Sequence, residues 1–320
     1  MSPSRPLSER AAPAGDGFPV ATGESAGLPA LAEGEDAIDI RRPAAQRAPL
    51  VFSSPHSGSH YPDAFLAQSR LDALAIRRSE DSFVDELFAA APGLGAPLLR
   101  ALFPRAYLDP NREPLELDPA MFADALPPHA NTRSPRVAGG LGTIARVVSD
   151  GAEIYRDKLP WAEAERRIRR CYVPYHQALG ELLEATRTRF GFAILVDCHS
   201  MPSIGGPNDR DSGHGRPDIV LGDRFGHACA PRLIDTATRI LRDLGYAVTR
   251  NDPYAGGYIT QHWGRPTEGL HALQVEINRG LYMDEERFLR GPRFDEVAAH
   301  MSDFIARLAA EDWASLSRRR

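Results

Sequence analysis

The 320-residue sequence has few cysteines and no long apolar segment, and these absences exclude several classes of protein. Its three cysteines, Cys171, Cys198 and Cys229, are odd in number and form no CxxC pair, so we expect neither a disulfide framework nor a thiolate zinc site. No apolar run approaches the roughly 20 residues that span a bilayer, and the amino terminus lacks the pattern of a signal peptide. We therefore expect a cytoplasmic protein.

The sequence also lacks an excess of basic charge. Lys and Arg total 38 against 43 Asp and Glu, which gives a formal net charge of −5. Such a chain has no basic footprint for nucleic acid or an anionic membrane, so we expect its partner to be a small molecule or, in a homo-oligomer, a second copy of the chain. With 42% hydrophobic and 25% charged residues, it has the composition of an ordinary globular protein.

Alternating strand and helix signals predict an α/β fold with a mostly parallel, mixed sheet flanked by helices. Residues 1–38 have few large apolar side chains and predict a disordered leader, residues 39–312 a single domain, and residues 313–320 a short basic tail. Predicted strands cover 49–53, 97–103, 192–200, 217–222, 246–249 and 270–278. Predicted helices cover 61–75, 79–88, 161–190 (with a kink at Pro174), 230–244 and 293–310. Irregular loops are expected over 113–158, where the chain should cover a site, and over 201–216 and 251–266.

Two histidines stand where apolar strands end. His56 follows the run that begins at Ala48, and His199 ends the run that begins at Phe192. Open α/β sheets bind their ligands beyond the carboxyl ends of such strands. Because zinc hydrolases commonly use two imidazoles and one carboxylate, we predict that His56 and His199 bind Zn²⁺ or another divalent metal.

The carboxylate ligand of this predicted site is either Asp81 or Glu80. Both stand at the beginning of the predicted helix 79–88, where acidic residues also interact favourably with the helix dipole, so the residues alone leave the choice open. Asp197 precedes His199 by two positions and shares its strand face. We expect it to orient an imidazole.

A general base and a substrate-binding arginine are also suggested. Glu276 lies inside an apolar strand, where a carboxylate is costly to bury unless a chemical role compensates, so it is the candidate base. Arg112 and Arg279 could each hold a substrate carboxylate with two hydrogen bonds, although Arg279 could instead pair with the acidic residues at 284 and 285. His262, in the Gly-rich loop, is a further candidate for substrate binding and for the base.

A rival enzyme class would use Cys198 as a nucleophile with His199 or His176 as its base. Neighbouring strand residues face opposite sides of a sheet, so Cys198 should point away from His199. A ligand-binding protein without catalytic activity is the other alternative.

Seven motifs together resemble the N-formylglutamate amidohydrolase family. They are Ser54-Pro-His-Ser-Gly58, Val84-Asp-Glu-Leu-Phe88, Leu108-Asp-Pro-Asn-Arg112, Pro174-Tyr-His176, Val196-Asp-Cys-His-Ser200, Gly256-Gly-Tyr-Ile-Thr-Gln-His-Trp-Gly264 and His271-Ala-Leu-Gln-Val-Glu276. They occur in order between residues 48 and 285. The resemblance implies a phosphorylase/hydrolase-like fold akin to zinc carboxypeptidases, a divalent metal, and hydrolysis of N-formyl-L-glutamate to formate and L-glutamate in histidine catabolism.

The same resemblance implies roles for particular residues. The implied metal ligands are His56, Asp81 and His199, and the implied base is Glu276. Asn111–Arg112 is similar to the Asn-Arg pair with which zinc carboxypeptidases bind the substrate carboxylate. A zinc-dependent deacylase or carboxypeptidase-like hydrolase that acts on another N-acyl amino acid is the alternative.

Overall fold

The computed structural model describes residues 37–207 and 209–316, which contain a seven-stranded sheet flanked by helices. The sheet strands are β1 (Ile38–Arg41), β2 (Leu50–Ser54), β3 (Leu98–Ala101), β4 (Ala193–Met201), β5 (Ile219–Gly222), β6 (Val248–Arg250) and β7 (Leu270–Asn278), and a separate two-stranded sheet joins β8 (Met283–Asp284) and β9 (Leu289–Arg290). The helices are α1 (Asp63–Gln68), α2 (Val84–Leu87), α3 (Pro135–Ala138), α4 (Trp161–Arg167), α5 (Val173–Phe190), α6 (Pro231–Asp243), α7 (Tyr258–Trp263) and α8 (Phe294–Ala310).

The strand order is β1-β3-β2-β4-β7-β5-β6. The pairs β3–β2, β2–β4, β4–β7 and β5–β6 are parallel, whereas β1–β3 and β5–β7 are antiparallel. This confirms the predicted α/β fold with a mostly parallel, mixed sheet. Because β2, β4 and β7 are parallel neighbours, their carboxyl ends meet at one edge of the sheet.

The two central strands, β4 and β7, are buried along their whole length. Their apolar runs pack on both sides: Val196 and Cys198 belong to the cluster that includes α6 and α8, whereas Leu195 belongs to the cluster that includes α4 and α5. Strands covered on both faces are expected to be apolar throughout, as these are. Polar residues at their ends therefore stand out as candidates for a site.

Two predicted helices are shorter than expected. Helix α1 ends at Gln68 because Ser69 turns into an extended conformation and forms a bridge with Tyr155. Helix α2 begins only at Val84, because Phe83 has a left-handed φ of 67° that helix geometry does not permit. Asp81 therefore lies on a turn before the helix and not in its first turn.

Other segments contain more structure than predicted. The edge strand β1 begins at Ile38, the last position assigned to the leader, while residues 1–36 lie outside the described part of the chain. Helix α7 occupies the centre of the loop predicted over 251–266. A π-helical turn at Ile168–Tyr172 joins α4 to α5 just before Pro174. Trp313 and Leu316, assigned to the basic tail, are buried in the core.

The described helices contain none that combines the length and the apolar character needed to cross a membrane.

Candidate metal centre

Three buried side chains converge at the edge where β2 and β4 end. His56 lies on the loop after β2, Asp81 on the turn before α2, and His199 near the end of β4. One ligand atom from each lies within 4.8 Å of the others, and this is the one group of His, Cys, Asp or Glu side chains with such spacing in residues 37–207 and 209–316. The structure therefore brings together the three residues predicted as metal ligands.

Both imidazoles direct their Nδ1 atoms at the same carboxylate oxygen. Oδ2 of Asp81 lies 3.0 Å from Nδ1 of His199 and 3.3 Å from Nδ1 of His56. The backbone N–H of Asp81 donates to the carbonyl of His56 at 3.0 Å, which ties the two loops together. The other oxygen, Oδ1, accepts a hydrogen bond from Nη2 of Arg279 at 2.9 Å.

The outer nitrogen of each imidazole faces another carboxylate. Nε2 of His56 forms a hydrogen bond of 2.7 Å with Oδ1 of Asp109, whereas Nε2 of His199 lies 3.0 Å from Oδ2 of Asp197 in an ion-pair contact in which that oxygen makes no hydrogen bond. Metal-binding histidines commonly donate their second ring N–H to such a partner, which fixes the tautomer and the ring orientation. For His56 this tautomer makes Nδ1 an acceptor that faces Asp81, whereas Nδ1 of His199 donates a hydrogen bond to Oδ2 of Asp81 at 3.0 Å.

This donor set fits a divalent cation. Nδ1 of His56 is buried and makes no hydrogen bond, although an oxygen of Asp81 is close by. Burial alone would raise the pKa of Asp81, but its contacts with His199 and His56 and the charge of Arg279 hold that pKa well below the usual value. Two imidazoles and an ionised carboxylate form the combination found in catalytic zinc sites, and a cation that binds there would replace the proton between His199 and Asp81.

Glu80, the alternative carboxylate, points elsewhere. Its carboxylate accepts hydrogen bonds from Tyr61 at 2.6 Å and from Ser82 at 2.7 Å, and it forms a salt bridge with Arg77 at 3.0 Å. These partners use its oxygens locally, so Asp81 is the acidic residue that reaches the histidines.

Glu276 lies directly beside the centre. It is the register partner of His199 in the β4–β7 ladder, on the same strand face as Gln274. Oε1 of Glu276 accepts a hydrogen bond from Nε2 of Gln274 at 2.8 Å, and Oε1 of Gln274 accepts one from the N–H of Gly257 at 2.7 Å. Burial raises the pKa of Glu276 to about 7. A carboxylate with such a pKa is suited to take up and release a proton near neutral pH.

A cavity of about 560 Å³ opens onto the three predicted ligands and Glu276. Its volume lies in the range of pockets that bind small molecules. Arg136, Leu141 and Ser149 of the 113–158 segment line it, so this irregular segment covers the site as expected.

Asn111 is fixed between the centre and helix α7. Its Nδ2 lies 3.2 Å from Nε2 of His199, and its Oδ1 accepts a hydrogen bond from the N–H of Ile259 at 2.7 Å. A Cβ atom at Gly257 would lie 2.4 Å from Nδ2 of Asn111, so this close approach requires glycine.

Arg112 lines the cavity, and two nitrogens of its guanidinium donate to backbone carbonyls. Nε donates to the carbonyl of Leu141 and Nη1 to the carbonyl of Asn111, both at 2.8 Å. Nη2 lies 3.6 Å from Oδ2 of Asp109, which also accepts a hydrogen bond from Arg105 at 2.9 Å. Burial lowers the pKa of Arg112 to about 10, which still leaves the group charged at neutral pH.

Arg279 and His262 are placed differently from the sequence-based expectation. Arg279 lines the cavity, but its guanidinium binds Asp81 and the hydroxyl of Ser200 and not the acidic residues at 284 and 285. His262 is not among the residues that line the cavity. It lies on α7, because the expected irregular loop is helical there. The centroid of its ring is 5.1 Å from that of Tyr258 and 4.9 Å from that of Trp263.

Cys198 faces away from the centre. It packs in the core with Val196 and Val275, and burial raises the pKa of its thiol well above the usual value. This corresponds to the alternation expected for a strand and disfavours a role as nucleophile.

Asp109 belongs to the site although it is not among the residues predicted from the sequence. Its one available signal was its position two residues before Asn111, in the turn that follows β3. The carboxylate is buried, and although burial alone would raise its pKa, the charges of Arg112, His56 and Arg105 hold that pKa well below the usual value.

Asp109→Asn is expected to weaken metal binding by about 10- to 100-fold, because the neutral amide holds the His56 ring less firmly and makes Nδ1 less basic. Metal titration of the purified variant measures this, and excess metal should restore most of the activity. Asp118→Asn, which removes a carboxylate paired with Arg146, is the matched control and should leave metal affinity unchanged. Wild-type affinity in the Asp109 variant would contradict the orienting role.

Known proteins with similar sequences and structures point in one direction. The model of the family described as N-formylglutamate amidohydrolase matches residues 48–283. An N-formylglutamate deformylase of Pseudomonas aeruginosa is 32% identical over 244 residues, which cover 75% of this chain and 84% of that protein. An N-formylglutamate deformylase of Pseudomonas putida is 28% identical over 242 residues, which cover 75% of this chain and 83% of that protein. A crystal structure of N-formylglutamate amidohydrolase from Ralstonia eutropha JMP134 has a TM-score of 0.79 and 38% identity, and the match covers 86% of this chain and 98% of that chain.

Proposed function

This chain belongs to the N-formylglutamate amidohydrolase family and is a hydrolase that acts on an amide, and from this premise we propose that it hydrolyses N-formyl-L-glutamate to formate and L-glutamate with the aid of a divalent metal such as Zn²⁺. The observation that carries the proposal is the juxtaposition of three features in one cavity. These are the His56, Asp81 and His199 cluster, the carboxylate of Glu276, and several arginines.

His56, Asp81 and His199 would hold the metal, with Asp109 and Asp197 fixing the two imidazoles from outside. A divalent cation in such a site supplies a Lewis acid that polarises a carbonyl and increases the acidity of water. Arg279 keeps one oxygen of Asp81 engaged at 2.9 Å, which leaves Oδ2 directed at both imidazoles.

Glu276 would perform the proton transfers. As a water oxygen bonds to the formyl carbon, the carboxylate accepts the proton that the water loses. The same proton is then delivered to the amide nitrogen as the carbon–nitrogen bond breaks, so Glu276 is ionised again. The second proton of the water remains on the product oxygen as formic acid, which passes it to the amine of glutamate or to solvent and leaves as formate. Its pKa of about 7 suits both transfers, and the hydrogen bond from Gln274 fixes the carboxylate.

Arg112 would bind a carboxylate of the substrate. Arg105 and Arg112 share the carboxylate of Asp109, and Arg105 is the closer of the two, at 2.9 Å against 3.6 Å. Within residues 37–207 and 209–316, the nearest carboxylate oxygen to Nη2 of Arg112 is 3.6 Å away, so this nitrogen can donate to an anion in the cavity.

Metal analysis of the purified protein, followed by assays of formate and amine release, tests the proposal. We expect about one divalent metal per chain, turnover of N-formyl-L-glutamate, loss of activity with a chelator and recovery on adding the metal. N-acetyl- and N-succinyl-L-glutamate complete the panel. Faster release from either of them would identify a different deacylase, and bound metal without turnover of any N-acyl amino acid would identify a ligand-binding protein.

Arg112→Lys is expected to lower kcat/KM for N-formyl-L-glutamate by about 100-fold, because lysine keeps the charge but cannot present two parallel N–H groups to a carboxylate. Steady-state kinetics measure the loss, and the metal content should not change. Arg70→Lys is the control, since Arg70 also donates to backbone carbonyls but lies outside the cavity. An unchanged kcat/KM in Arg112→Lys would remove this residue from the substrate site.

A further inference from the structure

One arginine of the cavity differs from the others in its partners. Four of the five arginines that line the cavity lie within 4.0 Å of a carboxylate. These pairs are Arg105–Asp109, Arg112–Asp109, Arg136–Glu116 and Arg279–Asp81. The fifth, Arg224, has no carboxylate within that distance in the part of the chain that the structure describes, and its Nη1 donates to the carbonyl of Gly256 at 3.2 Å. A partly buried guanidinium without a counter-charge favours the binding of an anion.

The backbone that carries Arg224 is strained. Arg224 and Phe225 both have a φ of 56°, in the left-handed region that residues other than glycine rarely adopt. The turn is held by Asn251, whose Oδ1 accepts hydrogen bonds from the N–H groups of Asp223 at 3.1 Å and of Phe225 at 3.3 Å. Such strain persists where the surroundings enforce it and is concentrated at ligand-binding sites. The position of this arginine is therefore fixed by the fold.

A short chain of contacts connects Arg224 to the proposed base. Arg224 donates to the carbonyl of Gly256, and the next N–H, that of Gly257, donates to Gln274, which in turn donates to Glu276. Arg224 thus belongs to the wall of the cavity that also positions Glu276. Arg112 reaches the cavity from a different segment, the turn that follows β3.

We propose that Arg224 binds the side-chain carboxylate of the substrate while Arg112 binds its α-carboxylate, so that the cavity selects N-acyl derivatives of dicarboxylic amino acids. This inference rests on the function proposed above and adds a second anion site to it. An N-acyl glutamate carries two carboxylates. The cavity offers Arg112, whose Nη2 lies 3.6 Å from its carboxylate neighbour, and Arg224, which has no acidic partner among the described residues. A neutral amide in place of the side-chain carboxylate would leave the charge of Arg224 uncompensated.

The test compares N-formyl-L-glutamate with N-formyl-L-glutamine, which has nearly the same shape without the second charge. In Arg224→Gln the new amide can still donate to the Gly256 carbonyl, but the positive charge is lost. We expect kcat/KM for N-formyl-L-glutamate to fall about 100-fold, whereas the value for N-formyl-L-glutamine changes by less than about threefold. The preference for the acidic substrate should therefore disappear. Equal losses for both substrates, or a preference that survives, would overturn the inference.

Two further measurements separate this inference from the proposed function. Arg242→Gln is the matched control and should keep the wild-type preference. Arg242 also donates to a backbone carbonyl and has no ion pair within the described part of the chain, but it lies outside the cavity. Calorimetric binding of L-glutamate and L-glutamine to the metal-loaded enzyme reports on Arg224 without turnover. Suppose that the wild type releases no formate but binds L-glutamate selectively, and that Arg224→Gln does not bind it selectively. The proposed function then fails and the anion site stands.

Thermal unfolding shows whether Arg224→Gln is folded. If it is not, Arg224→Lys serves in its place, since it keeps the charge and loses the planar guanidinium. An intermediate loss of kcat/KM confined to N-formyl-L-glutamate would support the inference, and an equal loss for both substrates would overturn it.

Discussion

Replacing His199 with Ala is expected to remove the bound metal and to abolish hydrolysis together. Its Nδ1 lies 3.0 Å from Oδ2 of Asp81, and the charge of Asp197 and the contact with Asp81 raise the pKa of this imidazole well above its usual value although burial opposes them. A ring held so firmly between two carboxylates is a strong ligand, and alanine leaves two donors where a catalytic metal site needs three. Metal analysis and formate release on the same preparation measure both losses.

Paired variants show whether the correct ligands are assigned. His56→Ala should resemble His199→Ala, whereas His262→Ala should keep full metal because its ring lies on α7 outside the cavity. Asp81→Ala should lose the metal and Glu80→Ala should retain it. If the two acidic variants behave in the opposite way, Glu80 is the ligand and the position of Asp81 has been misread. Full metal content in His199→Ala would refute the whole centre.

The parts of the site that the sequence predicted are those on continuous apolar strands. His199 and Glu276 belong to β4 and β7, whose continuous apolar runs predict buried strands. The alternation of strand side chains then places Asp197 on the same face as His199 and Cys198 on the opposite face. Parallel pairing brings the two strand ends together without further information. The topological rules of parallel sheets are therefore sufficient to place His199 beside Glu276.

The parts that the sequence did not predict depend on turns and on distant pairs. The left-handed Phe83 delays the beginning of the predicted helix to Val84, and no local pattern in the sequence distinguishes Asp81 from Glu80 as the ligand. Arg279 is 198 positions away from Asp81, so its choice of that carboxylate over the acids at 284 and 285 follows from packing alone. The same is true of Asp109, which meets His56 only because β3 lies beside β2 in the sheet.

Glu276→Gln is expected to reduce kcat by about 10²- to 10⁴-fold, the usual cost of losing a general acid-base group. Glutamine has nearly the same shape and can remain beside Gln274, so folding, metal content and substrate binding should be close to normal. Stopped assays of formate release measure kcat, and thermal unfolding and metal analysis establish that the variant is intact. Glu163→Gln is the control, because it makes the same substitution at a half-buried carboxylate that pairs with Arg166 and Arg167 outside the cavity.

The pH profile supplies a second, independent readout for Glu276. A base acts only when it is ionised, so kcat/KM of the wild type should rise with pH as Glu276 loses its proton. Burial raises the pKa of Glu276 to about 7, and a bound cation would lower it. The variant should lack this acidic limb. A Gln variant that turns over at the wild-type rate would make Glu276 a structural carboxylate. A variant that loses its metal would make Glu276 a ligand, and the base would then have to be another group that lines the cavity.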